Sequence, residues 1–288
     1  MTETSTTTAR ERFGDGVAIV TGAGSGLGEG IAHHLAEAGT HVVVTDVDAA
    51  RAEAVADACR AAGGRAEAHR LDVSVGEDVE SLFADVWSRH GAVDLVVSNA
   101  GIESGDRLWD MTPQQWRRVF AVNTDGAFHC SRSAVPRMAE QARPGVLGIV
   151  SSTGGVTALP YQSAYVASKH ATLSLTECLH LEIAESGAPV QVSALMPNWV
   201  RSRIFDDVRS AAEPAHPDAR AHFAAMAESN RELGLEPRDA ARLLLDGVAR
   251  GEFWVFTDED RTPQLFAERA RLLQERGLPA VPGPRAST

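Results

Sequence analysis

The sequence predicts an α/β domain, a doubly wound parallel sheet of about seven strands with helices on both faces. Short apolar runs alternate with helical stretches along most of the chain. A glycine-rich turn joins the first such run to the first helix, and the residues suited to chemistry stand at the ends of later runs, where such sheets place their ligands.

Residues 16–21, Gly-Val-Ala-Ile-Val-Thr, are almost wholly apolar and bounded by turn residues, as a strand covered on both faces must be. A helix is expected over 31–38, closed by Gly39, then a strand over 41–45 and an Ala-rich helix over 49–62 before Gly63-Gly64. The alternation continues with a strand at 66–71, a helix at 77–90, a strand at 93–98, a long helical region at 112–140 and a strand at 146–151. A helix over 163–183 and a strand over 190–195, ended by Pro197, complete the regular part. The segment 202–235 breaks the rhythm and is long for a plain connection, so it reads as a helical insert or lid. A helix at 237–250, a strand at 252–256 and a charged helix at 263–276 close the chain. The resulting division is a disordered tail at 1–13, one nucleotide-binding domain at 14–258, and a C-terminal helix with a flexible tail at 259–288.

With 288 residues, one large domain with a well-covered core is sufficient. The net charge of −12 disfavours a nucleic-acid groove or an anionic membrane surface as partner. No stretch approaches the roughly 20 apolar residues of a membrane-spanning helix, and the first residues lack a leader-like apolar run. Cys59, Cys130 and Cys178 show neither CxxC spacing nor an even count, so reduced thiols in a cytoplasmic protein are expected. The ten His are scattered without HExxH, and no metal is signalled.

The turn Thr21-Gly-Ala-Gly-Ser-Gly-Leu-Gly28 sits between strand and helix, where backbone N–H groups and the helix N-terminus receive a pyrophosphate. Residues without Cβ let the chain approach phosphate oxygens. Asp46 ends the second strand and is placed to accept from the ribose hydroxyls of adenosine, while Asp48 serves as the cap of the next helix. A carboxylate there repels a 2′-phosphate, and neither Ser25 nor Val47 is basic, so NAD is expected over NADP.

Tyr165 and Lys169 lie four apart in a helical run and so share a face. A nearby ammonium favours the phenolate, and a tyrosine tuned in that way exchanges a proton with an alcohol or a carbonyl oxygen. Such a pair alone is ordinary surface packing in most helices. Ser152, thirteen residues earlier at a strand end, changes that reading. Ser151 points to the opposite face by strand alternation.

These residues together resemble the short-chain dehydrogenase/reductase family, with its TGxxxGxG turn at Gly22, Gly26 and Gly28 and its Tyr-x-x-x-Lys at Tyr165 and Lys169. The resemblance covers roughly 16–256 and implies a Rossmann-like fold and an NAD(P)-dependent oxidoreductase. It implies a catalytic set of Asn123, Ser152, Tyr165 and Lys169, in which Ser152 holds the substrate oxygen against Tyr165 and Asn123 links Lys169 to solvent through a water. It further implies cofactor contacts from Ser25, Leu27, Asp72, Val73, Asn99, Ala100, Gly101, Pro197, Val200 and Ser202, with Lys169 and Tyr165 near the nicotinamide ribose. Ser98-Asn-Ala-Gly101 departs from the family's Asn-Asn-Ala-Gly at its first position. Asn198 replaces the usual Gly after Pro197, and Asn is suited to a left-handed conformation there.

Gly154, Val156, Tyr161, Trp199, Ile204 and Phe205 are the expected substrate contacts, an apolar and partly aromatic set that fits a hydrophobic secondary alcohol or its ketone. A homotetramer or homodimer follows from the resemblance, packed through the helices bearing Asn123 and Tyr165 and through the last strand. Two rival readings differ in class. A catalytically silent NAD-binding regulatory protein would lack the intact tetrad, and a sugar-nucleotide epimerase would carry TGxxGxxG, which Ser25 breaks.

Overall fold

The computed structural model describes residues 7–205 and 214–281. Seven parallel strands form one sheet in the order β3-β2-β1-β4-β5-β6-β7, with β1 Val17–Thr21, β2 His41–Asp46, β3 Arg65–Arg70, β4 Leu95–Ser98, β5 Gly145–Val150, β6 Val190–Met196 and β7 Trp254–Phe256. The strand order reverses between β1 and β4, which opens a crevice at their carboxyl ends.

Strand alternation builds the two faces. Ala18 and Val20 of β1 pack with Val42 and Val44 of β2 against Ile31 and Leu35 of α2 (Gly26–Ala38), Val55 and Cys59 of α3 (Ala49–Ala61), and Leu244 and Leu245 near the chain's end. Ile19 and Val43 face the other way, toward Phe83 of α4 (Gly76–His90) and Cys130 and Met138 of α6 (Gly126–Glu140). Every β1 residue is therefore buried, which is why the run contains no polar side chain before Thr21. Gly39 ends α2 at φ 104° and donates to the last-turn carbonyls of Ala36 and Leu35.

The N-terminal segment departs from expectation. Residues 9–13 were assigned to a disordered tail, but Ala9–Phe13 is a helix, α1, capped by Thr8 through a reciprocal bond pair with Glu11. Ala9 and Phe13 are buried in the core against α2 and α9 (Pro237–Ala249), and Ala9 N–H donates to Asp246 of α9 at 3.2 Å. Only two apolar side chains anchor the turn, too few for a periodic signal.

The long helix expected over 112–140 is interrupted. It consists of α5 (Pro113–Phe120), one π-helical turn at Ala121–Asp125 that carries Asn123, and α6. A π turn widens the backbone locally and is common beside functional groups. Tyr165 and Lys169 stand near the start of α7 (Ser163–Ser186). The expected insert contains α8 (Pro217–Leu233), whose Phe223 and Ala227 pack with Phe205. Residues 206–213 of that insert, and the tail expected beyond 281, lie outside the described residues. After β7, α10 (Arg261–Gln274) follows, with Leu265 reaching Leu173 and Met196. Among the described residues no helix is long and apolar enough to cross a membrane. Cys59, Cys130 and Cys178 are free thiols, the first two buried.

Candidate active site

A cleft of about 1400 Å³ runs along the carboxyl ends of the strands and is bordered by the glycine turn, β4, β5, α7 and the segment after β6. At one end Gly22 and Gly26 adopt φ of 61° and 56°, in the left-handed region. A Cβ on Gly22 would stand 2.7 Å from Ala100 Cα, and one on Gly26 would stand 2.7 Å from Ser202 Cβ, so the turn closes only with glycine. Ser25 precedes α2 without a side-chain cap, leaving first-turn N–H groups to face the cleft. This cradle fits the pyrophosphate of a dinucleotide.

Asp46 is held at the end of β2 by two backbone donors, Gly24 N–H to Oδ2 and Asp48 N–H to Oδ1, both at 3.0 Å. Asp48 caps α3 through the N–H groups of Ala50 and Arg51. Arg51, not among the expected residues, also borders this end of the cleft, and its Nε pairs with Asp48 Oδ2 at 3.2 Å. Its place one turn into α3, next to Asp48, was the available signal.

Asp72 and Val73 line the neighbouring wall, with Asp72 Oδ1 accepting from the Ser74 hydroxyl at 2.6 Å. Asn99 donates through Nδ2 to the carbonyls of Thr21 and Gly22 at 2.8 and 3.1 Å, tying β4 to the glycine turn. Ala100, Gly101, Leu27, Gly28, Pro197, Val200 and Ser202 border the same cleft. Ser202 N–H donates to Asn230 Oδ1 of α8 at 3.1 Å, so α8 positions the segment after β6.

Of the expected catalytic residues, Ser152, Tyr165 and Lys169 border this cleft, whereas Asn123 stands behind it. Ser152 Oγ accepts from Gly154 N–H at 3.0 Å and stands close enough to the Tyr165 side chain to favour its ionised form. Ser151 turns away and donates to the Lys169 carbonyl at 2.9 Å, as alternation requires. Asn123 bridges the π turn to the loop after β4 by accepting from Ile102 N–H at 2.8 Å and donating to Ile102 O at 3.0 Å. It also donates to Ser168 Oγ at 2.9 Å, one residue before Lys169.

The electrostatics differ from the expectation. Lys169 was expected to pull the Tyr165 phenol toward working pH; instead burial, reinforced by the Glu103 charge, raises the phenol above its ordinary value, and Ser152 only partly opposes this. Burial also lowers the Lys169 ammonium to about 8, against the pull of Glu103. For Lys169, desolvation outweighs the attraction of Glu103 because the ammonium is enclosed.

Glu103 is a buried carboxyl beside the site that sequence reasoning missed. It lies in the loop after β4, 6% exposed, accepting from Gln162 Nε2 at 2.9 Å and Ser104 N–H at 3.1 Å. Burial raises its carboxyl well above the usual range. Nothing in its local sequence marks it, since its side-chain partner, Gln162, lies 59 residues further along the chain.

Of the expected substrate contacts, Gly154, Trp199, Ile204 and Phe205 line the cleft, but Val156 and Tyr161 do not. Val156 is buried with Leu173, Met196 and Leu265. Tyr161 takes φ 63° and packs on His222 of α8 with ring centroids 5.4 Å apart. Asn198 is also corrected: it is not left-handed, and its N–H donates to Thr257 Oγ1 at 2.9 Å. The loop therefore needs no glycine at that position.

A glycine cradle, a doubly wound sheet and a Ser/Tyr/Lys cluster around a buried lysine are the features of an oxidoreductase of Rossmann type. The short chain dehydrogenase family model matches residues 16–213, and the chain belongs to that family. It is 38% identical over 186 residues to a D-beta-hydroxybutyrate dehydrogenase of Cupriavidus necator, covering 64% of this chain and 70% of that protein. It is 35% identical over 254 residues to a 3beta-hydroxysteroid dehydrogenase of Mediterraneibacter gnavus, covering 88% of this chain and 86% of that protein. The crystal structure of a short chain dehydrogenase/reductase from Burkholderia phymatum in complex with NAD superposes with a TM-score of 0.87 at 30% identity, covering 95% of this chain and 99% of that one.

Proposed function

We propose that the protein is an NAD-dependent dehydrogenase that interconverts a hydrophobic secondary alcohol and its ketone, with Tyr165 as the acid/base. The observation that carries this reading is the gathering of Ser152, Tyr165 and buried Lys169 along the same cleft as the glycine turn. A bound nicotinamide supplies the hydride acceptor or donor. Ser152 orients the substrate oxygen, Tyr165 takes or returns its proton, and Lys169 places positive charge beside the developing phenolate. Asn123 fixes the loop after β4 and the turn of α7 that precedes Lys169.

Asp46, braced by two N–H donors, supports NAD over NADP, as does the NAD in the Burkholderia phymatum structure. The hydrophobic substrate class is supported by Trp199, Ile204, Phe205 and Met226 along one wall. The hydroxysteroid dehydrogenase likeness extends over 88% of the chain, further than the hydroxybutyrate dehydrogenase likeness. α8 acts as a cover over this wall. Exposed Phe128 on α6 and Leu181 on α7 support assembly through those helices. The test is an NADH-formation screen of alicyclic, terpenoid and steroid alcohols alongside short hydroxy acids. Turnover confined to the hydroxy acids would overturn the substrate class, and none with either set would overturn the dehydrogenase reading.

A further inference from the structure

We propose that His41, Glu67 and His90 form a binding site for a divalent transition cation of the zinc class, at the sheet edge away from the cleft. The site lies where β2, the outer strand β3 and the end of α4 converge. His41 opens β2 and pairs in register with Arg65, while Glu67 pairs with Val43, so alternation puts His41, Glu67 and His69 on one face of the sheet. α4 covers that face and ends at His90. His41 is five residues before Asp46, about 16 Å along the strand, so the site is separate from the cofactor cleft.

The donor atoms converge on one carboxylate oxygen. Glu67 Oε1 is 4.0 Å from His41 Nε2, 3.6 Å from His90 Nε2 and 3.6 Å from His69 Nε2. The ligand atoms of His41, Glu67 and His90 all lie within 4.8 Å of one another. Tetrahedral zinc with bonds of about 2.0–2.1 Å needs donor separations of about 3.3 Å, which side-chain rotation supplies from these positions. The Nε2 atom of His41 is buried and has no hydrogen-bond partner, an unfavourable state that a ligand relieves. Imidazole nitrogens with one carboxylate suit zinc, cobalt or nickel and not magnesium or calcium.

One residue competes with the cation. Arg89 donates to both Glu67 oxygens at 2.8 and 2.9 Å, and its Nη1 lies 3.4 Å from His90 Nε2. Its Nε is held by Asp85 at 2.9 Å, and the side chain is partly exposed, so it can yield Glu67 while remaining paired. Cation and guanidinium thus share one carboxylate, and binding of the cation clamps the outer strand to α4.

The test uses the full chain, free of affinity tag and chelator. Cobalt titration followed by d–d absorption, and zinc titration by calorimetry, should give one site of tetrahedral character, with zinc raising the unfolding midpoint. His90→Ala and Glu67→Gln should each weaken zinc at least about 10-fold, whereas Arg89→Ala should tighten it. NAD binding reports that each variant is folded. Absence of binding, affinity unchanged in His90→Ala and Glu67→Gln, or weaker binding in Arg89→Ala would overturn the assignment.

Discussion

Lys169 reaches back to the sheet: its Nζ donates to the carbonyl of Val150, the last residue of β5, at 3.0 Å. The same nitrogen lies 5.8 Å from the centre of the Tyr165 ring. The strand end, and not the phenol alone, therefore fixes the ammonium, and a Cβ on Gly101 would approach it to 3.4 Å. A cation held in this way costs no reorganisation when negative charge develops on Tyr165.

Tyr165→Phe removes the hydroxyl to which the proposed function gives the proton exchange and leaves the ring in place. Turnover should fall about 10²- to 10⁴-fold with NAD affinity little changed. Steady-state NADH formation together with calorimetric NAD binding checks both. Retained turnover would require another acid.

Glu103→Gln removes a buried carboxyl that, once ionised, raises the Tyr165 phenol. Without that charge the phenol loses its proton more readily, so the acidic limb of the alcohol-oxidation pH profile should move to lower pH. The same change lowers Lys169 further, because Glu103 supports its charged form. A pH–kcat profile of both proteins measures the displacement, and an unmoved or upward limb contradicts the coupling.

Asp46→Ala deletes the carboxylate at the end of β2. NAD affinity should drop about 10- to 100-fold, since a charged hydrogen-bond acceptor is lost. NADP affinity should hold or improve, with Arg51 at the same end of the cleft. Fluorescence titration with both reduced cofactors decides it, and an equal loss places the ribose elsewhere.

Phe13→Ala tests whether α1 belongs to the folded domain. Phe13 is 2% exposed, and deleting such a buried ring costs about 3–5 kcal/mol. Urea unfolding should show a lowered midpoint. A midpoint unchanged from the parent would mean the segment is dispensable.

Much of the architecture was legible because its signals are local. A strand covered on both faces must be apolar throughout, as residues 17–20 are, and a turn that admits no Cβ must be glycine at 22 and 26. Tyr165 and Lys169 are neighbours by helical geometry alone. Their direction of titration was not legible. That depends on how thoroughly other segments enclose them, and Glu103 acts on both from a loop sixty-odd residues upstream. Val156 and Tyr161 sit at suitable sequence positions, yet α10 and α8 draw them out of the cleft wall.

By itself, the sequence determined the strand and helix alternation, the glycine turn and the sharing of one helix face by Tyr165 and Lys169. Only the tertiary structure decided which of those groups are desolvated, which side chains wall the cleft, and that His41, Glu67 and His90, far apart in the chain, face one another. The reason is physical: periodicity and steric limits act between near neighbours, whereas burial and charge proximity are set by segments that meet only on folding.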